Sequence, residues 1–311
     1  MKNILITGAA GYIGSMLCTK FVEEGYKVTA VDILKYEKNS LGHLFSKKNF
    51  VFFKLDVTKK NNLRNIILKQ DFIIPLAALV GAPLCEKRKK EAIKVNVESI
   101  KLILSLVKKR QKILYPTTNS GYGVGQKSKF CDENTPLNPI SLYGRTKVEA
   151  EELISTHTNY ICFRLATVFG YSYRMRTDLI VNNFVETAVK KGKLEIFEPY
   201  FRRNFIHITD IVDAFLFSIK NFEKLKNNIF NLGLSSANIS KISLARKIKK
   251  IIPKTKVIIN KKGNDPDKRD YFVSNKKIEK AGFKAKVSLE QGIRELNNIF
   301  QNCDIKFINN Y

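Results

Sequence analysis

The stretch Asn3-Ile-Leu-Ile-Thr-Gly-Ala-Ala-Gly-Tyr-Ile-Gly14 decides the reading of the chain. Its first five residues have the apolar, β-branched character of a buried strand. Glycines at 8, 11 and 14 follow, and Ile13 to Glu24 then carries apolar residues at helical spacing. Glycines at such a junction let the backbone turn tightly and approach a pyrophosphate, whose charge the helix N-terminus stabilises. Asp32 closes the next apolar run, Lys27–Asp32, 18 residues past Gly14. A carboxylate there would accept both hydroxyls of an adenosine ribose and repel a 2′-phosphate, so the expected cofactor is NAD rather than NADP. Gly8, Gly11, Tyr12, Ile13, Gly14 and Asp32 are the candidate contacts.

Outward from this unit, Phe50–Leu55, Phe72–Leu76, Lys112–Tyr115 and Tyr160–Arg164 read as further buried strands, with helical segments such as Ala92–Arg110 between them. Strand–helix alternation of this kind predicts an α/β fold, a Rossmann-type doubly wound parallel sheet with helices on both faces. After Gly170 the rhythm changes. A helix is expected over 178–191, a strand around Phe205–Ile208, a helix over 210–222 and a last one over 289–300. The expected organisation is an NAD-binding domain over 1–170 and a smaller α/β substrate-binding lobe over 171–311. The lobe would pack on the sheet's carboxyl edge, interwoven with the domain rather than joined by a linker.

Composition narrows the function classes. The chain has 311 residues and 44% hydrophobic residues, ample for a core, with a formal net charge of +27. Of its 55 basic residues 43 are Lys, spread in short pairs along the whole chain. That spread describes a solvated surface that attracts anions better than it describes a nucleic-acid patch. Cys18, Cys85, Cys131, Cys162 and Cys303 are odd in number and lack CxxC spacing, which suggests free thiols in a reducing cytoplasm. His43, His157 and His207 form no ligand pattern, so no metal is expected. The longest apolar run, Phe72–Cys85, is broken by Pro75, Gly81 and Pro83 and cannot span a bilayer; no signal peptide is expected before the first strand.

A second constellation carries chemistry. Tyr143 and Lys147 stand four apart on a predicted helix, hence on one face, and Thr118 ends the fifth strand. A phenol with a pKa near 10 is a poor base at neutral pH; an ammonium ~4–6 Å away favours the phenolate and makes it a usable acid/base toward an alcohol or carbonyl. Beyond Gly170, Arg174, Arg176, Arg202, Arg203 and Arg269 supply guanidinium forks suited to a diphosphate.

Together these residues resemble the extended short-chain dehydrogenase/reductases that act on nucleotide sugars, the epimerase/dehydratase superfamily. The resemblance adds Asp56-Val57 on the adenine side, Leu76-Ala77-Ala78 on the pyrophosphate side, Asn96, and the run Phe205-Ile-His-Ile-Thr-Asp210. It implies Thr118, Tyr143 and Lys147 as the catalytic set, with Tyr143 and Lys147 also touching the cofactor. Several longer runs resemble the NAD-dependent dehydrogenases that oxidise the 4-hydroxyl of GDP-D-glycero-α-D-manno-heptose for bacterial capsular heptoses. They are Pro75-Leu-Ala-Ala-Leu-Val-Gly-Ala-Pro-Leu-Cys85, Thr118-Asn-Ser-Gly-Tyr-Gly123, Phe163-Arg-Leu-Ala-Thr-Val-Phe-Gly170, Phe201-Arg-Arg-Asn204, Asn231-Leu-Gly-Leu-Ser-Ser-Ala-Asn238 and Asp265-Pro-Asp-Lys-Arg-Asp-Tyr271. Val80, Gly81, Asn119, Thr167 and Asn182 join Thr118 and the five arginines as candidate substrate contacts.

One departure narrows the reaction. Nucleotide-sugar 4,6-dehydratases carry Asp-Glu directly after the catalytic Ser/Thr; here Asn119-Ser120 stand there, and neither can do that proton work. The expected activity is oxidation of a GDP-linked manno-heptose or related sugar to a 4-keto sugar. The alternatives are an epimerase that retains its NAD and, outside enzymes, an NAD-sensing or RNA-associated relative without catalysis. A homodimer through the Ala92–Arg110 and Leu142–His157 helices is also expected, because the first is apolar over more than one stripe.

Overall fold

The computed structural model describes residues 1–36, 39–125, 129–260 and 269–303. Its strands are β1 (Asn3–Thr7), β2 (Lys27–Asp32), β3 (Phe50–Lys54), β4 (Phe72–Pro75), β5 (Lys112–Thr118), β6 (Phe130–Cys131) and β7 (Tyr160–Leu165). These are followed by β8 (Thr167–Phe169), β9 (Lys193–Ile196), β10 (Arg202–His207), β11 (Asn228–Leu232), β12 (Asn238–Ser240), β13 (Lys256–Ile259) and β14 (Phe272–Val273). Seven of them form one parallel sheet in the order β11-β7-β5-β4-β1-β2-β3. The chain moves from β1 outward to β3, then crosses back to lay β4 on the other side of β1. That reversal opens a crevice beyond the carboxyl ends of β1 and β4, where ligands bind in doubly wound sheets.

Both faces of the sheet are covered. On one, Phe163 meets Phe215 at 5.0 Å between ring centroids, and the Tyr12–Glu23 and Ile208–Lys220 helices pack over Ile4, Ile6 and Phe72. On the other, Leu5, Ile73, Tyr115 and Cys162 pack with residues of the Lys60–Ile67, Ser99–Leu106 and Leu142–Ser155 helices. A separate apolar cluster, with Val181, Val185, Leu244, Ile293 and Leu296 at its centre, supports the second lobe.

Two features differ from the expected layout. The seventh strand, β11, comes from residues 228–232, so a boundary at 170 assigns one sheet strand and its covering helix, Ile208–Lys220, to the lobe by sequence while they pack with the domain. The helix expected over 92–110 is broken into Lys89–Ile93, a π-helical turn over Lys94–Glu98, and Ser99–Leu106. Asp210 joins lobe to domain by accepting the backbone N–H groups of Lys286 and Val287 at 2.8 and 3.0 Å. Among the described residues no helix is long and apolar enough to cross a membrane, and Cys18, Cys85, Cys131 and Cys162 are buried free thiols.

Candidate active site

A cavity of about 710 Å³ opens at the crevice between the sheet and the second lobe. Its floor is the glycine loop. Gly8 has φ +67°, and a Cβ on it would lie 2.6 Å from the Ala77 nitrogen; one on Gly14 would lie 2.3 Å from the Gly8 carbonyl oxygen. Only glycine lets β1, the loop after β4 and the helix start close this tightly. Gly11 begins the Tyr12–Glu23 helix in extended backbone with no side-chain cap, leaving N–H groups of the first turn for an anion. The Asp32 carboxylate is fixed by the N–H groups of Ala10 (3.0 Å) and Leu34 (2.8 Å). Burial raises its pKa despite these bonds, and the Arg174 guanidinium opposes the rise.

The candidate catalytic side chains come from two elements, β5 and the Leu142–Ser155 helix. Thr118 ends β5, and its Oγ1 accepts the Ser120 N–H at 3.1 Å, turning the chain into the Asn119–Tyr122 turn. Ser141 caps the next helix by accepting the Gly144 N–H, and Tyr143 then packs with Leu79, Leu84, Cys85 and Ala92. Arg164 on β7 clamps that helix to the sheet through a buried ion pair with Glu151 at 2.7 Å. Thr118, Tyr143 and Lys147 all line the cavity.

Their electrostatics differ from the simple expectation for the Tyr–Lys pair. Burial raises the Tyr143 pKa, while Arg269, Arg176 and a hydrogen bond with Thr118 lower it. Lys147 Nζ donates to the phenol of Tyr115 at 2.6 Å, and burial lowers its own pKa to about 7. Its charge at neutral pH is therefore partial.

Most residues expected at the site do line it. Tyr12, Ile13, Asp56 and Val57 do so on the cofactor side, with Leu76, Ala77 and Ala78 after β4; Val80, Gly81, Thr167 and Arg203 continue the wall. The Tyr12 phenol is committed to the Gly170 carbonyl at 2.6 Å, so only the rest of that residue faces the cavity freely. Arg176 lies beside Asp178, bonding it through Nε at 3.0 Å. Arg174, expected on the substrate side, stacks over Tyr36 at 4.9 Å near Asp32.

Four expected contacts are not among the lining residues. Asn96, in the π turn, binds Leu79 N–H and C=O and donates to Thr146 at 3.1 Å, so it ties the loop after β4 to the Tyr143 helix. Asn182 holds the loop after β8 by accepting the Gly170 N–H and donating to the Arg176 carbonyl, and the neighbouring Asn183 lines the cavity instead. Arg202 turns away to Asp270, its Nε 2.8 Å from Oδ1. Asn119 is buried, and among the described residues neither of its side-chain polar atoms has a partner. Residues 265–268 of the Asp265–Tyr271 run lie outside the described residues. Sequence reasoning missed Tyr36, Phe197, Lys241 and Tyr271 as lining residues, and Ser120 as the partner of Arg269.

Comparison with known proteins completes the assignment. Residues 4–233 match the model of the NAD dependent epimerase/dehydratase family. The chain belongs to that family. UDP-glucuronic acid decarboxylase 1 of Arabidopsis thaliana is 28% identical over 96% of this chain and 70% of its own length. The human dTDP-D-glucose 4,6-dehydratase is 26% identical over 94% of this chain and 88% of its own length. The crystal structure of UDP-glucose 4-epimerase from Thermotoga maritima with UDP-glucose superposes with a TM-score of 0.84 and 26% identity, covering 96% of this chain and 98% of that one.

NAD is the family's cofactor, and the cradle fits it. Gly8 and Gly14 have no room for a Cβ, the helix start presents N–H groups, and Asp32 is held at the end of β2. These residues would hold the pyrophosphate and the adenosine ribose.

Proposed function

We propose that this member of the epimerase/dehydratase family is a dehydrogenase that oxidises the 4-hydroxyl of a GDP-linked manno-heptose or related nucleotide sugar to a 4-keto sugar. Tyr143 takes the hydroxyl proton, Thr118 hydrogen-bonds the same oxygen, and Lys147 steadies the cofactor's ribose and the phenolate. Bound NAD supplies the acceptor for the hydride that leaves the carbon. Arg176 and Arg203 hold the diphosphate; Lys241 and Phe197 extend that end of the cavity.

The observation that carries this reading is the pair of residues directly after Thr118. Asn119 and Ser120 replace an acid and a base, and Ser120 Oγ receives a hydrogen bond from Arg269. A guanidinium at that position leaves one proton-transfer system, through Tyr143, and none for elimination across C5 and C6. The guanosine base and the heptose rest on the resemblance of six sequence runs between Pro75 and Tyr271, whereas the relatives named carry uridine or thymidine sugars. The test is therefore a panel of GDP-, UDP- and dTDP-sugars, followed by NADH absorbance and product NMR with and without an external hydride acceptor. A 4-keto GDP sugar is expected, in greater yield with the acceptor. Solvent deuterium at C5, or a C4-inverted product with no keto species, overturns the assignment in favour of a dehydratase or an epimerase.

We further propose a cytoplasmic homodimer, to which the buried thiols and the partly uncovered Ile93, Leu102 and Leu104 lend support. Light scattering should give twice 35.6 kDa. A monomer mass throughout the micromolar range excludes the dimer.

A further inference from the structure

Lys147 directs one of its three hydrogen bonds to Tyr115, and its Nζ also sits 4.0 Å from the centroid of that ring. The cavity side of Tyr143 is served by different groups. Arg269 enters from the second lobe just before β14 and donates to Ser120 Oγ. Thr118 Oγ1 donates to Ser120 Oγ at 2.9 Å, and the Thr118 hydroxyl favours the Tyr143 phenolate. All four residues line the same cavity.

We propose that Arg269 is the positioning residue for proton transfer at Tyr143, stabilising its phenolate by charge and through the Ser120–Thr118 hydroxyl pair. The inference rests on the reading of Tyr143 as the proton acceptor. A guanidinium keeps its proton at every working pH and has several donors in a fixed fork, so it can hold Ser120 while its charge acts on the phenol. Hydroxyl protons rotate to suit demand. With Ser120 fed by Arg269, forming the phenolate reverses the bond seen between the two hydroxyls: Thr118 turns its proton from Ser120 to the phenolate and accepts the Ser120 proton in its place. The groups acting on Tyr143 from the elements around it are consistent with this division. Arg269 and Arg176 favour the phenolate, and Cys85, with burial, disfavours it. Arg176 already shares its charge with Asp178. Lys147, half-neutral near pH 7, is the weaker cation of the set.

The test needs no substrate, so it is independent of which sugar is oxidised. The protein is labelled with ring-carbon-13 tyrosine and saturated with NAD. The Tyr143 resonance is identified by its absence in Tyr143→Phe, and its shift is followed with pH. In Arg269→Gln the onset of ionisation should move up by about one pH unit, the effect of removing a nearby cation. Ser120→Ala, which keeps the charge and removes the relay, should move it in the same direction by less. NAD affinity, measured by calorimetry, should stay within a few-fold in both. An onset unchanged within a few tenths of a unit in Arg269→Gln with NAD still bound overturns the proposal. Should that variant fail to bind NAD, an unchanged onset in Ser120→Ala overturns it equally. Retained turnover in Tyr143→Phe would instead remove the proposed function, and the titration would still report on Arg269.

Discussion

Tyr143→Phe should lower turnover by roughly 10²–10⁴-fold, the usual contribution of one positioned acid/base. The substitution removes a single oxygen. The ring stays among Leu79, Leu84, Cys85 and Ala92, so the Leu142–Ser155 helix keeps its packing. The glycine loop and Asp32 are on other elements, and NAD affinity should change by no more than a few-fold. Steady-state NADH formation with the best nucleotide sugar of the panel, beside calorimetric NAD binding, separates the two quantities. Near-wild-type turnover would show that another group takes the proton.

Lys147→Met should separate stability from activity. The lysine is 5% exposed, and its pKa falls from 10.5 to about 7 in the folded protein. Below about pH 7 both folded and unfolded chains carry the proton, and the folded one bears the full cost of a buried ammonium. Between that point and the unfolded value the folded lysine sheds its proton, so the cost shrinks as pH rises. Methionine removes the charge and keeps most of the packing, but leaves the Tyr115 hydroxyl without its partner. The net gain expected for the NAD-free protein is about 2 kcal/mol at pH 6, several degrees in Tm, fading toward pH 10. Turnover should collapse in the same variant, as at other sites where function holds a costly group in place. Melts at pH 6 and pH 9 provide the measurement, and destabilisation at both would mean the ammonium is better solvated than its surroundings suggest.

The parts of the site that follow local rules are legible from the amino acids. The glycine loop, Asp32 and the Tyr143–Lys147 spacing depend on a turn, a strand end and a helical face, each set within a few residues. Arg202 and Arg203 are told apart by strand geometry. Neighbours on a strand point to opposite sides; in β10 Arg203 faces the cavity and Arg202 meets Asp270. Arg174 and Arg176 sit in irregular chain after Gly170, where no periodicity assigns a direction. Asn96, which the family resemblance offers as a cofactor contact, and Asn182, a candidate substrate contact, each serve instead as a backbone bracket holding the wall of the site. The π turn at 94–98 has no signature in composition, and it is what brings Asn96 to Leu79 and Thr146. Partners such as Arg269 and Ser120 lie 149 residues apart and meet only through the tertiary fold.

The place of β11 has a consequence for how the polypeptide matures. Until residue 232 has left the ribosome, β7 is the open margin of a six-stranded sheet, with the unpaired backbone of Tyr160–Leu165 presented to any passing strand. The helix that shields Phe163 and Ile4, residues 208–220, emerges only shortly before. The nascent amino-terminal half therefore cannot be finished as an independent unit, and most of the second half must be translated before the first is sealed. A gene split near residue 170 would yield two fragments, each lacking a surface that the other supplies.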